Sequence, residues 1–245
     1  MQPEEYRKMA EVEDRMWYYR ALHRHVARAL ADKLGPDATV LDAGCGTGGL
    51  LRHLQRMQPS WRLSGVDLSS LACAISRERT NATIAESSVT QLPFANESFQ
   101  AITSCDVLCQ VAQPEVALGE LARCLKPGGV VVLTMPAYQW LFSYHDSQVA
   151  NLRRYTRNGV KDILQATGLQ PVWSSHWNTL PFPLAVLRRK IFPPAAPTSD
   201  VRLYPAPLEA MFNAMMAIEH AWLSAGGRLP FGSSVLVVAR KPDHA

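Results

Sequence analysis

The chain contains no C-x-x-C pair. Its five cysteines, Cys45, Cys73, Cys105, Cys109 and Cys124, are joined by no His-rich cluster, so neither a metal site nor a disulfide framework is expected. That usage fits a reducing cytoplasm. A secretory signal is not expected either, because the first residues, Met-Gln-Pro-Glu-Glu-Tyr-Arg-Lys, form no apolar run. The longest uncharged stretch, 163–187, contains Gly168, Pro171, Pro181 and Pro183, which excludes a membrane-spanning helix there. Charged residues make up only 19% and hydrophobic ones 47%, so the composition of a disordered chain is absent. A length of 245 residues suits one domain with a full core.

The net charge of +4 is unevenly placed. Residues 150–192 hold seven Lys or Arg against one acid, Asp162, giving +6 there and −2 elsewhere. A solvated basic face, an anionic substrate, a phospholipid surface or RNA would each account for it.

Helical spacing of Met9, Val12, Met16, Tyr19, Leu22, Val26 and Leu30 predicts an N-terminal helical segment over residues 3–34, closed by Gly35-Pro36. From Thr39 short apolar strands alternate with helical stretches, the pattern of a parallel sheet covered on both faces. Strands are expected at 39–42, 62–67, 83–85, 101–105, 130–135, about 171–177 and 235–239. Helices are expected at 48–57, 69–79, 114–124 and 157–167, with a tight turn at Lys126-Pro127-Gly128-Gly129. Nearly sixty residues separate the last two strands, too many for a plain loop. Pro181-Phe182-Pro183 and Pro193-Pro194-Ala195-Ala196-Pro197 predict a stiff non-helical connector in this insert. A helix follows at 207–225, with Leu208, Met211, Phe212, Met215, Ile218 and Trp222 on one face, read as a core- or lid-packing helix or, alternatively, as a pliable wall of a substrate pocket or a dimer contact. The chain thus divides into an N-terminal cap (1–35), a core (39–177), an insert (178–232), and a last strand with tail (233–245).

Val40 to Gly49 reads V-L-D-A-G-C-G-T-G-G, a strand running through a glycine-rich turn into a helix. Glycines allow unusual backbone angles and let a ligand approach without meeting a Cβ. Gly44, Gly46 and Gly49 fit G-x-G-x-x-G, which by itself suggests a dinucleotide. Asp42, just ahead of the turn, argues otherwise, because an acid repels a pyrophosphate and holds a cation. Asp67, ending the second strand, is placed to accept hydrogen bonds from both hydroxyls of a ribose. A ribose plus a cation, without phosphate, describes S-adenosylmethionine and leaves an NAD-dependent dehydrogenase as a poor reading.

With D-A-G-C-G-T-G stand G-V-D (65–67), L-P-F (92–94) followed by S-F (98–99), and L-K-P-G-G (125–129). Over roughly residues 40–138 the chain resembles class I S-adenosylmethionine-dependent methyltransferases. The resemblance implies an α/β, doubly wound Rossmann-like sheet of seven strands, mostly parallel, with an antiparallel last strand. It implies S-adenosylmethionine as cofactor, S-adenosylhomocysteine as product, and cofactor contacts from Asp42, Gly44, Gly46, Gly48, Asp67, Leu68, Ser88, Val89 and Cys105. Trp17-Tyr18-Tyr19-Arg20 is similar to the W-W-F-R-type segment of a bacterial subgroup whose helix closes over the cofactor, so Trp17 and Arg20 join the set, Arg20 on the cofactor carboxylate. Ser143-Tyr144-His145-Asp146, Arg153-Arg154-Tyr155 and the long insert resemble the same subgroup. Two positions depart from the pattern: Ser88 stands where an Asp often contacts the adenine amine, and Gln100 follows Phe99 where Asp is usual. Ser88 and the Val89 N–H would then read the adenine.

Methyl transfer needs an aligned nucleophile and exclusion of water, with no metal. A hydroxyl acceptor needs a base, and His145, beyond the fifth strand at the ligand-binding edge, is the expected one, with His176 second. Tyr138, Trp140, Phe142 and Tyr144, in an extended run, would form a flat wall for a planar or lipid-like acceptor. Asp146 is a substrate contact in this reading, and Arg153 and Arg154 hold an anionic group. A small-molecule or lipid-linked acceptor follows, O-methylation being slightly favoured, with peripheral membrane contact as a further role for the basic segment. RNA methylation is disfavoured by the lack of an RNA-binding module and of an Asn-Pro-Pro-Tyr-type motif where Cys105-Asp106-Val107-Leu108 stands. A non-catalytic cofactor-binding protein is the remaining alternative.

Overall fold

The computed structural model of the chain describes residues 1–194 and 199–243. Seven strands form one sheet: β1 (Thr39–Ala43), β2 (Arg62–Asp67), β3 (Thr83–Glu86), β4 (Phe99–Cys105), β5 (Leu125–Pro136), β6 (Gln170–Trp177) and β7 (Ser234–Arg240). Their order is β3-β2-β1-β4-β5-β7-β6, and β7 runs antiparallel to both β5 and β6. Strand order reverses between β1 and β4, so their carboxyl ends open a crevice where open α/β sheets carry ligands.

Both faces of the sheet are covered, which is why the central strands read as continuous apolar runs. On one side α5 (Pro114–Cys124) and α7 (Arg157–Ala166) seal Leu41, Ile102 and Leu133. On the other, α2 (Trp17–Ala31) and α9 (Ala206–Ser224) close over Val40, Val132 and Trp177. Fully burying such a side chain stabilises by about 1.5–3 kcal/mol. The connections α3 (Gly49–Met57) and α4 (Ser70–Arg79) complete the first half.

Four expectations are corrected. The single N-terminal helix is two, α1 (Pro3–Val12) and α2, with the chain turning at 13–16. The break is made by distant partners: buried Glu13 accepts from Thr47 Oγ1 at 2.7 Å and pairs with Arg79, while Glu209 of α9 accepts from the Trp17 N–H at 2.9 Å and caps α2. The connector opening the insert is helical, as α8 (Phe182–Val186) and a π-helical turn (Leu187–Ile191). Pro181 and Pro183 fall at its first positions, where a missing N–H costs nothing. Ala195, Ala196 and Pro197 lie outside the described residues. On α9 the residues sealed inside are Phe212, Met216 and Glu219, whereas Leu208, Met211, Ile218 and Trp222 of the expected packing face are exposed. Finally, Lys126 to Gly129 is part of β5, looped out at an irregularity where the pairing passes from Leu125 to Val130.

Candidate active site

One cavity of about 740 Å³ runs along the carboxyl ends of β1, β2 and β4 and on beneath the insert. Its size lies in the range of cofactor and substrate sites, about 300–1,000 Å³.

At one end the glycine turn forms the wall. Gly44 and Gly46 have φ of +85° and +51°, angles that a Cβ penalises. A side chain at Gly44 would collide with Val107, and one at Gly46 would lie 2.8 Å from the Met9 methyl of α1. Asp67 ends β2 with its carboxylate facing the cavity, accepting from the N–H groups of Gly46 and Ser69, both at 2.9 Å. The Tyr6 hydroxyl of α1 reaches Asp67 Oδ1 at 3.4 Å. Leu68, Ser88, Val89 and Cys105 line the same end, with the Ser88 hydroxyl 2.7 Å from Thr90 Oγ1.

Three cofactor-side expectations are corrected. Asp42 is buried beneath the turn rather than in the cavity, taking a 2.8 Å hydrogen bond from Thr103 Oγ1. Burial lifts its carboxyl to about 7, with the Thr103 bond opposing. Gly48 caps α3 beside Ser76 and Thr80, away from the cavity. Arg20 is exposed and lines a separate shallow groove with Arg15, Tyr204 and Asn213, because α2 turns that face outward. Trp17, by contrast, does face the cavity with Tyr18, Tyr19 and Leu22. The part of the cap that lies over the glycine turn is α1, through Tyr6 and Met9.

The middle of the cavity holds a residue that sequence reading passed over. Asp106 follows β4 with φ +57°, a conformation uncommon outside glycine. Its Oδ2 accepts from the Tyr18 hydroxyl at 2.8 Å, and burial raises its carboxyl above the usual range. The signal was available as an acid immediately after the fourth strand, at the point where strand order reverses.

The far end combines apolar walls, including Pro181, Leu184, Val201 and Phe212, with charge. Asp146 and Arg154 form a buried two-pronged ion pair at 2.8 and 2.9 Å. Burial alone would raise the Asp146 carboxyl, but the Arg154 bonds hold it below the usual range. Asp146 also closes a capping box with Ser143 at the start of α6 (Tyr144–Gln148), and Arg154 donates to the Ala137 carbonyl. Asp146 is sealed from the cavity on protein groups, which corrects the expectation that it contacts substrate, whereas Arg154, held by the same groups, does line the cavity. Arg188 and Arg189 do face the cavity and share one acid, Asp200, at 3.1 and 3.0 Å. One positive charge is left over.

His145 lines the cavity, but not as a base. Its Nδ1 accepts the Asp200 backbone N–H at 3.1 Å, so the neutral ring carries its proton on Nε2 and its basic lone pair is engaged by the backbone. Burial and then the Arg189 charge lower its pKa to about 4. The aromatic wall is also corrected. Tyr138 has φ +62° and a 3₁₀ turn follows, so the run is not extended. Tyr138 stacks on His176 and Trp140 outside the cavity, and the Tyr144 hydroxyl donates to Asp200 at 3.0 Å. His176 is removed from the cavity by that stacking, and Arg153 reaches out to the Ala112 carbonyl.

Residues 41–133 match a family model described as a methyltransferase domain. Demethylmenaquinone methyltransferase of Staphylococcus aureus is 28% identical over 138 residues, 52% of this chain and 56% of that protein. An uncharacterised 37.1 kDa protein in transposon TN4556 of Streptomyces fradiae is 33% identical over 136 residues, 53% of this chain and 39% of that one. The chain therefore spans about half the length, or less, of these curated relatives. Among solved structures, geranyl diphosphate C-methyltransferase of Streptomyces coelicolor superposes with a TM-score of 0.61 at 20% identity, covering 89% of this chain and 78% of that one. A chain of the complex between the Haloferax volcanii Trm112 methyltransferase activator and a methyltransferase gives 0.67 at 22% identity, covering 99% and 95%. Both carry the same fold.

Proposed function

We propose that this chain, whose residues 41–133 match a methyltransferase domain model, is a class I S-adenosylmethionine-dependent methyltransferase that methylates a small-molecule or lipid-linked acceptor with an apolar body and one anionic group. S-adenosylmethionine supplies a methyl group on a sulfonium, ready for in-line displacement, and leaves as S-adenosylhomocysteine. The residues at the glycine turn suit that cofactor. Asp67 offers its carboxylate to the ribose hydroxyls in place of Tyr6. Ser88 and the Val89 N–H face the adenine, and the absence of a Cβ at Gly44 and Gly46 leaves room for the backbone to approach. Trp17 lines the cavity and its indole N–H is buried without a partner among the described residues, a donor that this reading assigns to the cofactor carboxylate.

At the acceptor end Arg188 and Arg189, sharing Asp200, hold the anionic group as a guanidinium pair with charge to spare. Apolar walls and the helices α1 and α2 exclude water, which strengthens these contacts. Asp106, with its raised pKa, is the group placed to take a proton where the acceptor must lose one, and the Tyr18 hydroxyl orients it. His145, with its proton on Nε2, has a donor to offer the acceptor in this reading. The observation that carries the reading is the continuity of one cavity from Asp67 to Arg188 and Arg189.

Calorimetry with S-adenosylhomocysteine and NAD, followed by a methyl-transfer screen of apolar carboxylates and phosphates against their neutral esters, tests it. Binding of the homocysteine product alone, with turnover of the anions over the esters, is the expected result. Turnover of the esters in preference would remove the anionic group from the reading, and tighter NAD binding would remove the cofactor.

A further inference from the structure

The fold that seals Trp177 and Leu133 completely leaves Leu180, Leu184, Leu187, Ile191 and Phe192 in solvent, Ile191 at 58% and Phe192 at 72% exposure. Single exposed apolar residues are ordinary, but Leu184, Leu187 and Ile191 recur at helical spacing along α8 and the π-helical turn. The Leu180 N–H donates to the inward-facing Glu219 of α9 at 2.6 Å, which ties the start of this segment to the body of the protein.

Charge frames this stripe with one sign. Lys190 and Arg228 are exposed, and Arg188 is half-buried beside them in sequence. Residues 178–232 hold five Lys or Arg against three acids. Of those acids, Glu209 and Glu219 are turned inward onto backbone N–H groups, and Asp200 is held between two arginines. Exposed leucine, isoleucine and phenylalanine with a basic rim is the make-up of a segment that lies in the headgroup region of an anionic bilayer. A second copy would bring the same positive rim against this one, which disfavours self-association.

We infer that the exposed apolar stripe of residues 184–192 seats the protein on an anionic lipid surface. Pro181, Leu184, Ala185, Arg188 and Arg189 wall the acceptor end of the cavity, so seating brings its mouth to the lipid, from which an amphiphilic acceptor can enter without crossing water. The seating itself does not depend on the acceptor proposed above, since adsorption is read without any methyl transfer.

The full chain is sedimented with vesicles of mixed phosphatidylglycerol and phosphatidylcholine and, in parallel, of phosphatidylcholine alone. Binding to the anionic vesicles is expected, weakening as salt rises from about 50 mM to about 500 mM. Replacing Ile191→Ser with Phe192→Ser lowers the bound-to-free ratio at least about tenfold, while S-adenosylhomocysteine binding by calorimetry is unchanged. Absence of wild-type protein from the anionic vesicle pellet, or equal binding by the double variant, overturns the inference. A wild-type dimer that the double variant converts to monomer also overturns it, making the stripe an interface between copies.

Discussion

The two ends of the cavity are built by different means. Around the glycine turn, position is set by the backbone: β1 and β2 lie parallel in register, Asp42 opposite Gly65, and φ angles of +85° and +51° at Gly44 and Gly46 shape the turn. At the acceptor end, position is set by side chains that meet across long stretches of sequence. Glu209 caps α2, Asp200 gathers Arg188, Arg189, Tyr144 and His145, and Glu219 receives the N–H groups of Asn178 and Leu180. A backbone-built end tolerates few changes within a short stretch. A side-chain-built end can be altered one pair at a time, which suits the part of an enzyme that chooses its acceptor.

Substitutions can sharpen this contrast, and the largest effect is expected on the acceptor side. Asp146→Ala leaves Arg154 buried without its carboxylate and should cost about 3–5 kcal/mol in urea unfolding. Joining it with Arg154→Met should recover most of that loss, whereas no recovery would mean that the pair is not what orders this end.

Beneath the glycine turn, Asp42 gives a pH signature on the order of 3 kcal/mol. Its folded pKa of about 7 lies above the unfolded value of about 3.9. Between those values the folded state binds more protons than the unfolded one, so stability from this group falls as pH rises from about 4 to about 7. Asp42→Asn keeps an acceptor for Thr103 and lacks the titration. The drop in urea midpoint between pH 5 and pH 8 should therefore be larger in the wild type than in the variant, and equal drops would contradict the raised pKa.

Gly46→Val acts on binding more than on folding. It should weaken S-adenosylhomocysteine binding at least about 100-fold, or about 2.7 kcal/mol, with the far-ultraviolet circular dichroism unchanged. Smallest is the tie between insert and cap: Glu209→Ala removes the acceptor for the Trp17 N–H and should cost about 1 kcal/mol of thermal stability, with a weaker effect on the glycine end than on α2 protection measured by hydrogen exchange.

How far the sequence could be read follows the same division. The strands, α5 and the placement of Gly44, Gly46, Asp67, Ser88 and Val89 along one edge were legible because period, turn chemistry and strand ends are local properties. The break between α1 and α2 was not, since Val12 and Met16 keep helical spacing across it and the cause is Glu13 meeting Thr47 and Arg79. Arg20 was misplaced because the resemblance named its neighbourhood and not the helix face. His145 was found in the cavity, but its role reversed once Asp200, fifty-five residues away, was seen to occupy Nδ1. Arg188 and Arg189 could be recognised only as charge, their sharing of Asp200 being a fact of folding.

The place of β7 has a consequence for the order of assembly. It follows β6 by the whole insert, yet it enters the sheet between β5 and β6 and pairs with both along its length. Until it does so, β6 has no neighbour, and the half of β5 that faces it offers bare carbonyl and amide groups. Chain emerging from a ribosome can therefore complete β1 to β5, and with them the glycine turn, while the acceptor end waits for a contact that is long-range in sequence. The nascent protein passes through a stage with one end of its cavity formed and the other open, a window in which the exposed edge of β5 is a target for chaperones and for aggregation alike.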